Sequence, residues 1–561
     1  MYRKGVNPLA AVFLASRNVT DIESAREVLG ESPAKLCDPF LMADMDKAVL
    51  CINAAILSGE RIAVYGDYDV DGMTSSALLA LWLHSKGADY EIYIPGRLDE
   101  GYGINRTALD LLKAHGVGLV ITVDCGITAI EEARYARELG LGLVITDHHE
   151  CRENLPEADA VVDPKRFDCG YPYKGLAGVG VAFKLVCALE GGFATEDMLQ
   201  KYGDLVAVGT IADVMPVGGE NRELIRRGLM ILNTAPRPGF RSLMREVNPE
   251  HGRITATTVS FMIAPRLNAA GRMGQPDLAV NLLRTDNSSE AEKLTERVCL
   301  LNTERRSLEL GIYEKAAAMV PDSGPDGPIL LSQRGWHQGV TGIVAAKMAE
   351  RYLMPAIIIS IDENGVGRGS CRSTGSFSIY DALKSCGDLL SNYGGHDMAA
   401  GVTVAEENIE ELRRRITAHY NDKIQASTGP MLTVDFEVEK PELLSVENVE
   451  FLEYLEPFGA GFAAPCLCFR DALIISTYSI GAGKHTRLRI DKAGTGFDCI
   501  FFSVPSEDLG VSAGMLVDVA FEPQINDYRG RCSVQLHLYD IRMSVTQQDT
   551  ESEALGEGKI R

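Results

Sequence analysis

This sequence lacks a long apolar segment and paired cysteines, and it has little positive charge. The longest apolar run near the N-terminus covers residues 8–15 and is followed closely by Arg17. It is too short to span a bilayer, and it lacks the small-residue pattern of a signal-peptide cleavage site. None of the 13 cysteines belongs to a Cys-x-x-Cys pair, and their odd number does not fit a disulfide framework. We therefore expect a cytoplasmic protein without a membrane span, whose cysteines are reduced and mostly buried.

Positive charge is the third scarce feature. The chain has 55 Lys and Arg against 78 Asp and Glu, a formal net charge of -23. A protein that coats nucleic acid nonspecifically needs positive surface to displace counterions, so the net charge disfavours that class. The negative net charge does not exclude a local basic groove. A carboxylate site for divalent cations would account for several of the negative charges.

The rest of the composition is typical of a globular protein with several domains. At 561 residues, and with roughly 150 residues per domain, the chain should hold three or four domains. Helix formers without proline predict a long helix from about residue 288, and PDSGPDGP at 321–328 ends it. We predict an N-terminal helical extension at 1–60, an α/β domain at 61–287, a linker helix at 288–327, a smaller α/β domain at 328–426, a β-barrel domain at 430–545 and a disordered tail at 546–561.

Three apolar, β-branched runs mark the strands of a parallel sheet in the first α/β domain. They cover residues 62–65, 119–123 and 143–146, and helical stretches separate them. Polar residues follow each run directly: GDYDVDG at 66–72, Asp124 before Gly126, and the triplet Asp147, His148 and His149. Because ligands of open α/β sheets bind outside the carboxyl ends of the strands, we expect these clusters to share one crevice.

The strongest single motif is GDYDVDG, which places Asp67, Asp69 and Asp71 at alternate positions in a strand-to-loop transition. Carboxylates that point to one place repel each other unless cations lie between them, so the motif predicts divalent metal. A calcium loop of the EF-hand type is disfavoured, because its twelfth position is Leu78 and a strand precedes the motif. A solvated acidic loop is the other alternative.

The later clusters favour the metal site. Mixed Asp and His ligands suit Mn²⁺ or Mg²⁺, and Mn²⁺ matches imidazole better. One of the adjacent His148 and His149 can ligate while the other contacts phosphate. Asp213 lies in the apolar stretch VGTIADV, where an unpaired charge is costly, and is a further candidate ligand, with a helix-capping role as the alternative.

These residues carry a family resemblance. The Asp147, His148, His149 triplet and the segment 67–72 resemble the motifs of the DHH phosphoesterases, in family order. The resemblance implies two metal ions held by Asp69, Asp71, Asp124, His148 and Asp213, with Asp124 as the bridge and His149 beside the scissile phosphate. Asp67 is either a ligand or an orienting residue. The reaction implied is phosphodiester hydrolysis by metal-activated water.

The second α/β domain resembles the DHHA1 domain that accompanies DHH domains. It contains GRGSCRS at 367–373, which we expect to form a Gly/Ser-rich loop with an anion-binding nest, and GGHD at 394–397. By this resemblance the residues that bind substrate across the cleft are Arg368, Ser370, Arg372, Ser373 and His396.

Three further segments resemble RecJ-family exonucleases. They are PGRLDEGYG at 95–103, APRLNAAGRM at 264–273 and WHQGVTGI at 336–343. The substrate-binding candidates that they add are Arg97, Tyr102, Arg266, Asn268, Arg272 and His337. Salt-bridge or capping roles are the alternative for those in the second segment.

The domain order also resembles that of the RecJ family, in which an OB-fold barrel follows DHHA1. Short alternating runs at 432–438, 473–480, 486–490, 517–521 and 533–539 fit such a barrel. The polar residues that an OB fold would offer to a single strand are Lys484, His485, Arg487, Arg489, Tyr528, Arg529 and Arg531; solvated strand edges are the alternative role for them.

The family resemblance implies a function. It is a 5′ to 3′ exonuclease for single-stranded DNA that uses two Mn²⁺ or Mg²⁺ ions and acts in recombination and repair. The protein would be a monomer, with a helicase and a single-strand DNA-binding protein as partners. The alternatives are a DHH-type phosphodiesterase for oligonucleotides or cyclic dinucleotides, an inorganic pyrophosphatase, and a scaffold that has lost its metals.

Overall fold

The computed structural model describes residues 7–31, 36–97, 100–101, 103–248, 252–375, 377–423, 431–528 and 531–545. It divides into two compact units, one formed by residues 36–430 and the other by residues 1–35 together with 431–561. Tyr102, Arg529 and the predicted tail at 546–561 lie outside the described residues.

Strands and helices are numbered in chain order. The strands are β1 Arg61–Tyr65, β2 Tyr90–Tyr93, β3 Val117–Val123, β4 Gly142–Thr146, β5 Ala160–Val162, β6 Ile329–Arg334, β7 Ala356–Ile361, β8 Val366–Arg372, β9 Leu390–His396, β10 Ala399–Ala405, β11 Phe436–Glu437, β12 Leu467–Ile480, β13 His485–Lys492, β14 Thr495–Phe501, β15 Leu516–Tyr528 and β16 Arg531–Met543. The helices are α1 Pro8–Ser16, α2 Ile22–Leu29, α3 Met45–Ser58, α4 Val70–Ser85, α5 Arg106–Ala114, α6 Ile130–Glu138, α7 Gly178–Leu189, α8 Glu196–Ala212, α9 Gly219–Thr234, α10 Pro238–Val247, α11 Ala256–Thr258, α12 Ala264–Arg272, α13 Pro276–Arg284, α14 Ser288–Ala318, α15 Gln338–Tyr352, α16 Ile379–Lys384, α17 Ile409–Lys423 and α18 Val446–Glu450. Within the described ranges, no helix combines the length and apolar composition needed to cross a membrane.

The first sheet is parallel throughout and has the order β2-β1-β3-β4-β5. Its central strands carry the predicted apolar runs; Ala63 pairs with Val120, and Val120 with Leu143. The three predicted strands are therefore confirmed, and the shorter β2 and β5 extend the sheet at its two edges. All carboxyl ends lie at one edge of the sheet, where the polar clusters follow.

Helix α4 begins inside the acidic motif. Asp69 is its N-cap, and the Asp69 carboxylate accepts a hydrogen bond of 3.1 Å from the Gly72 N–H. A Cβ at Gly72 would lie 2.5 Å from the backbone oxygen of Asp67, so the turn requires glycine. The prediction that all three Asp belong to a strand-to-loop transition is wrong for Asp71, which lies in the first turn of α4.

The second sheet, of order β6-β7-β8-β10-β9, is mixed. Strand β6 is parallel to β7, and the other neighbours are antiparallel. The 31-residue helix α14 precedes this sheet in the chain and corresponds to the predicted long helix.

The expected loop at residues 367–373 is wrong, because residues up to Arg372 form strand β8 between β7 and β10. Their backbone N–H groups belong to the sheet and cannot form a nest. The glycines serve packing instead: a Cβ at Gly367 or Gly369 would lie 2.8 Å from Ile359.

The other unit contains a closed barrel of order β12-β13-β14-β16-β15, which the pairing of β12 with β15 closes. Strand β14 is parallel to β16, and the remaining barrel pairs are antiparallel. The N-terminal helix α1 belongs to the same hydrophobic core. The Phe13 ring packs edge-on against Phe458 and Phe462, with centroids 6.3 and 5.9 Å away, and Arg17 forms an ion pair with Asp435.

We expect Phe13→Ala to destabilise the barrel unit by about 3–5 kcal/mol, because it empties a fully buried aromatic site between α1 and the segment that precedes β12. Hydrogen exchange of the β12 and β15 amides, followed by mass spectrometry, measures the change. The neighbouring Val12 is 41% exposed, so Val12→Ala is the matched control. Equal exchange in the two variants would contradict a role of α1 in the barrel core.

Candidate active site

Acidic and histidine side chains meet where the strands of the first sheet end. Three groups place their ligand atoms within 4.8 Å of one another. The groups are Asp67, Asp69 and Asp124; Asp71, His148 and Asp213; and Asp124, Asp147, His148 and His149. Asp124 also joins the first two, because its Oδ1 lies 3.1 Å from His148 Nε2. The structure thus brings together all six side chains that the sequence assigns to metal.

The second group is compact around His148. Its Nε2 atom lies 3.8 Å from Asp71 Oδ2 and 3.6 Å from Asp213 Oδ2. The first turn of α7 orients Asp71: Gly178 N–H donates to Oδ2 at 2.6 Å and Val179 N–H to Oδ1 at 2.9 Å. A helix N-terminus favours an anion, so this carboxylate is fixed before any cation binds.

Backbone conformation places Asp124 in the middle of the cluster. Asp124 follows β3 with a φ of 62°, a left-handed conformation that a residue with a Cβ seldom adopts. The start of α7 approaches it closely, since a Cβ at Gly178 would lie 2.5 Å from Asp124 Oδ1. The position of the central carboxylate therefore depends on a glycine at the start of helix α7.

Asp213 stands at the C-terminal end of α8, directly after Ala212. A negative charge at a helix C-terminus is unfavourable with respect to the helix dipole, so stabilising α8 does not explain this residue. Its side chain is 27% exposed and faces the His148 imidazole. A role in the cluster explains its position better than the alternative of helix capping.

Asp147 organises the two histidines. Its Oδ1 accepts hydrogen bonds from the His148 N–H at 2.7 Å, the His149 N–H at 3.2 Å and His149 Nδ1 at 2.7 Å. Its Oδ2 accepts one from the Ile127 N–H at 2.9 Å. Since both oxygens are already engaged, Asp147 is better suited to orienting His149 than to ligating a cation.

Burial and mutual repulsion disfavour ionised carboxylates in the metal-free cluster. Burial first, and Asp69 second, raise the pKa of Asp67 well above its ordinary value. Burial and Asp213 do the same for the pKa of Asp71, and burial and Asp71 for that of Asp124. Burial and Asp69 raise the pKa of Asp213 to about 7. A bound cation would reverse these shifts by favouring the charged forms.

The two imidazoles are held in opposite protonation states. Burial, reinforced by neighbouring His149, lowers the pKa of His148 to about 3, so His148 is neutral and able to ligate. Burial also opposes charge on His149, but the hydrogen bond from its ring to Asp147 and the charge of Asp147 raise the pKa of His149 to about 9. His149 is therefore a cation at neutral pH.

The donor set fits divalent cations. Oδ1 of Asp67 is buried without a hydrogen-bond partner among the residues that the structure describes, as expected for a ligand atom. Carboxylate oxygens with one neutral imidazole match the preferences of Mn²⁺ and Mg²⁺.

A cleft of about 900 Å³ opens beside the cluster. From the first α/β part its lining includes Tyr68, Arg97, Asp147 and His149, and from the second it includes Gln338, Thr341, Arg368, Ser370, Tyr380, Tyr393 and His396. Arg97 lies over the Tyr68 ring, with 4.8 Å from its guanidinium carbon to the ring centroid. Four substrate-binding candidates thus share this cleft with His149: Arg97, Arg368, Ser370 and His396.

The other candidates lie elsewhere or are engaged differently. Arg272 is half-buried, donates to the Gly339 carbonyl at 3.1 Å, and has its pKa lowered to about 9 by burial and by Arg97. Burial also lowers the pKa of Arg372. Among the candidates that do not line the cleft, Ser373 Oγ donates to the Phe377 carbonyl, Arg266 donates to the Met262 carbonyl, His337 caps α15, and Asn268 is half-buried in α12.

The sequence analysis predicts no role for three residues that the structure places near the site. Asp147 was part of a motif but had no assigned role, and Tyr68 had none although it sits between two candidate ligands. Asp163, directly after β5, is buried, and burial together with Asp147 raises its pKa to about 7. An Asp that follows a short apolar run was the available signal for Asp163, and it is the same signal that identified Asp124.

In the metal-free protein we expect the His149 ring to titrate near pH 9 and Asp147→Asn to lower its pKa, because the burial remains while the hydrogen bond to the carboxylate and its charge are lost. The raised pKa stabilises the fold fully below about pH 6.5, and this contribution disappears as the pH rises through about 9. NMR titration of the imidazole measures the change. Asp159→Asn is the matched control, because the Asp159 carboxylate accepts a hydrogen bond from the Leu143 N–H at the start of β4, away from the histidines. Titration near pH 6.5 in the unsubstituted protein would contradict the assigned hydrogen bond.

Comparison with known proteins gives the family. The model described as "DHH family, N-terminal domain" matches residues 61–210, that of the DHHA1 domain matches 326–422, and that of the RecJ OB domain matches 434–540. The single-stranded-DNA-specific exonuclease RecJ of Bacillus subtilis (strain 168) is 38% identical over 561 residues, which cover 98% of this chain and 71% of that protein.

Solved structures agree. The crystal structure of RecJ from Thermus thermophilus in complex with Mn²⁺ has a TM-score of 0.81 and 31% identity, and covers 96% of this chain and 76% of that one. The structure of RecJ from the same organism in complex with Mg²⁺ has a TM-score of 0.76 and 29% identity, and covers 96% and 75%. The chain therefore belongs to the RecJ family, with a DHH domain, a DHHA1 domain and an OB-fold barrel in that order.

Proposed function

We propose that this protein is a metal-dependent exonuclease that removes nucleotides from single-stranded DNA in the 5′ to 3′ direction, in recombination and repair. The observation that carries the proposal is the pair of ligand groups that meet at Asp124 beside a cleft lined by Arg97 and Arg368. The substrate class, single-stranded DNA, and the exonuclease activity are proposed from the names of the relatives.

Two Mn²⁺ or Mg²⁺ ions would be held by the clustered side chains. Asp67, Asp69 and Asp124 would hold one ion, and Asp71, His148 and Asp213 the other, with Asp124 shared. When bound, the ions polarise the phosphate, activate a water molecule for attack and stabilise the leaving oxygen. The protein presents these ligands from the ends of β1, β3 and β4 and from α8, which are rigid elements.

His149 supplies a positive charge and a proton at the same place. Its Nδ1–H is committed to Asp147, which fixes the ring, so Nε2–H is the atom that donates to a phosphate oxygen in the cleft. The charge of a protonated imidazole matters most as negative charge builds up on the phosphate, because it then stabilises the transition state more than the ground state.

Arg97, Arg368, Ser370 and His396 would bind the phosphates of the strand from the two walls of the cleft. Arg272 and Arg372 add positive charge behind them: burial lowers the pKa of both guanidinium groups, which stay protonated at neutral pH, and an anion in the cleft would favour their charged forms further. Thr341 Oγ1 lies 3.1 Å from Ser370 Oγ and holds that hydroxyl in place.

An enzyme for short oligonucleotides or cyclic dinucleotides is the second candidate. It needs the same metals and the same cleft, but not a module for holding a strand. The barrel carries Arg487 and Arg489 on its exposed face, both near Asp498, and it matches the RecJ OB domain, which favours a longer strand. We further propose that the protein acts as a monomer, in concert with a helicase and a single-strand DNA-binding protein.

The function is tested with end-labelled single strands blocked at either the 5′ or the 3′ end, together with duplex DNA and a dinucleotide, each in Mn²⁺ and in Mg²⁺. We expect strands with a free 5′ end to be shortened stepwise, and the 5′-blocked strand and the duplex to resist. Asp124→Asn, which removes one charge from the shared ligand, is the inactive control. Cleavage of the dinucleotide alone, or no hydrolysis with either metal, would refute the exonuclease.

The close approach of α7 to Asp124 predicts the effect of one methyl group. Gly178→Ala should weaken Mn²⁺ binding by about 10-fold to 100-fold, because the new Cβ displaces the Asp124 carboxylate. Isothermal titration measures the affinity. Gly180→Ala on the same helix is the matched control, since its Cβ would meet only the side chain of Leu176, at 3.3 Å. Equal affinities for the two variants would exclude Asp124 as a ligand.

A further inference from the structure

An aromatic pair in the cleft has no part in the metal and phosphate chemistry. Tyr380 and Tyr393 both line the cleft, on the wall that the second α/β domain contributes. Their ring centroids are 6.0 Å apart with an interplanar angle of 47°. Both side chains are half-buried, so each offers part of its ring to the cleft.

The pair is held rigidly. Tyr380 belongs to α16, whose N-cap Ser378 donates through Oγ to Asp397 Oδ1 at 2.6 Å, while Ile379 N–H donates to the Asp397 carbonyl at 2.9 Å. These bonds tie α16 to the turn that connects β9 and β10. Tyr393 packs against the core of the DHHA1 domain. Rings that are fixed in the free protein lose little entropy when a flat ligand stacks on them.

Two glycines, Gly394 and Gly395, follow Tyr393 in β9. A Cβ at Gly394 would have no atom within 4 Å, so this part of β9 opens to the cleft. Gly395 has a φ of 135°, and a Cβ there would lie 2.4 Å from the Ala399 carbonyl oxygen. Gly395 is thus required by the close approach of β10, whereas Gly394, next to the two rings, leaves space for a flat group to approach the strand closely.

We propose that Tyr380 and Tyr393 form a stacking platform for one nucleobase of the single strand, a purine or a pyrimidine. The inference rests on the proposed function and adds a base-recognition site to it. The base stacks face to face on one ring and meets the other at an angle, because the two rings are inclined by 47° to each other. It does not enter between the rings, because two stacking distances require about 7 Å and the centroids are closer than that.

The platform gives a physical reason for preferring single strands. Stacking on tyrosine is tolerant of sequence because every base has a π face. A base inside a duplex already stacks on its neighbours and pairs with its partner, so it must leave the helix before it can reach the rings. Arg368 and His396 in the same cleft would meanwhile contact the phosphates.

The test measures binding in EDTA, which separates base recognition from catalysis. Ten-nucleotide strands carry 2-aminopurine, or an abasic residue, at one position at a time. We expect one position at which bound 2-aminopurine is quenched and an abasic residue weakens binding by about tenfold. Tyr380→Leu and Tyr393→Leu should each remove the quenching and weaken the intact strand to a similar extent, with no further loss on the abasic strand. Tyr380→Phe should behave like the unsubstituted protein.

Tyr420→Leu is the matched control, because Tyr420 packs on the same core and does not line the cleft. It should keep the quenching. If the Tyr380 and Tyr393 variants weaken intact and abasic strands equally, or leave binding unchanged, the platform does not exist, even if the enzyme degrades single strands. If the unsubstituted protein neither binds nor degrades single strands, the proposed function fails together with the platform.

Discussion

Repulsion among buried carboxylates is the constraint on which this structure depends. Asp67, Asp71 and Asp124 are almost fully buried at one edge of the first sheet, and neighbouring carboxylates raise the cost of ionising each of them. Such a cluster destabilises the fold unless cations compensate it. The protein nevertheless orients it with dedicated backbone contacts, above all the N–H groups of Gly178 and Val179 on Asp71. The buried carboxylates thus lower the stability of the metal-free fold, and in return they form a binding site for metal ions.

The same site explains how a chain with a net charge of -23 can act on a polyanion. Part of the negative charge lies within the cluster that binds the ions, and the cleft beside it carries Arg97, Arg368 and the protonated His149. DNA would therefore be attracted to a narrow, locally positive groove and repelled by much of the remaining surface. The arrangement favours a threaded strand over nonspecific coating.

Much of this could be predicted from the sequence, because buried parallel strands leave uninterrupted apolar runs and the residues that follow them must meet at one edge. The runs before Asp67, Asp124 and Asp147 are of this kind. Where the local pattern was ambiguous, prediction failed. The glycines in GRGSCRS are typical of a loop but allow close packing in β8, and Asp71 continues the alternation of Asp67 and Asp69 but lies in the first turn of α4. Strand β14 was not among the predicted runs, because Gly496 and Asp498 interrupt its apolar residues; its pairing with β13 and β16 defines it. The packing of Phe13 into the barrel core joins residues far apart in the chain, which no local pattern encodes.

The most direct test of the account is the number and position of the bound ions. Anomalous diffraction from crystals soaked in Mn²⁺ should show two peaks, one beside Asp67 and Asp69 and the other beside Asp71, His148 and Asp213, with Asp124 contacting both. A single peak, or two peaks that Asp124 does not join, would contradict the claim that this carboxylate is the centre of the site.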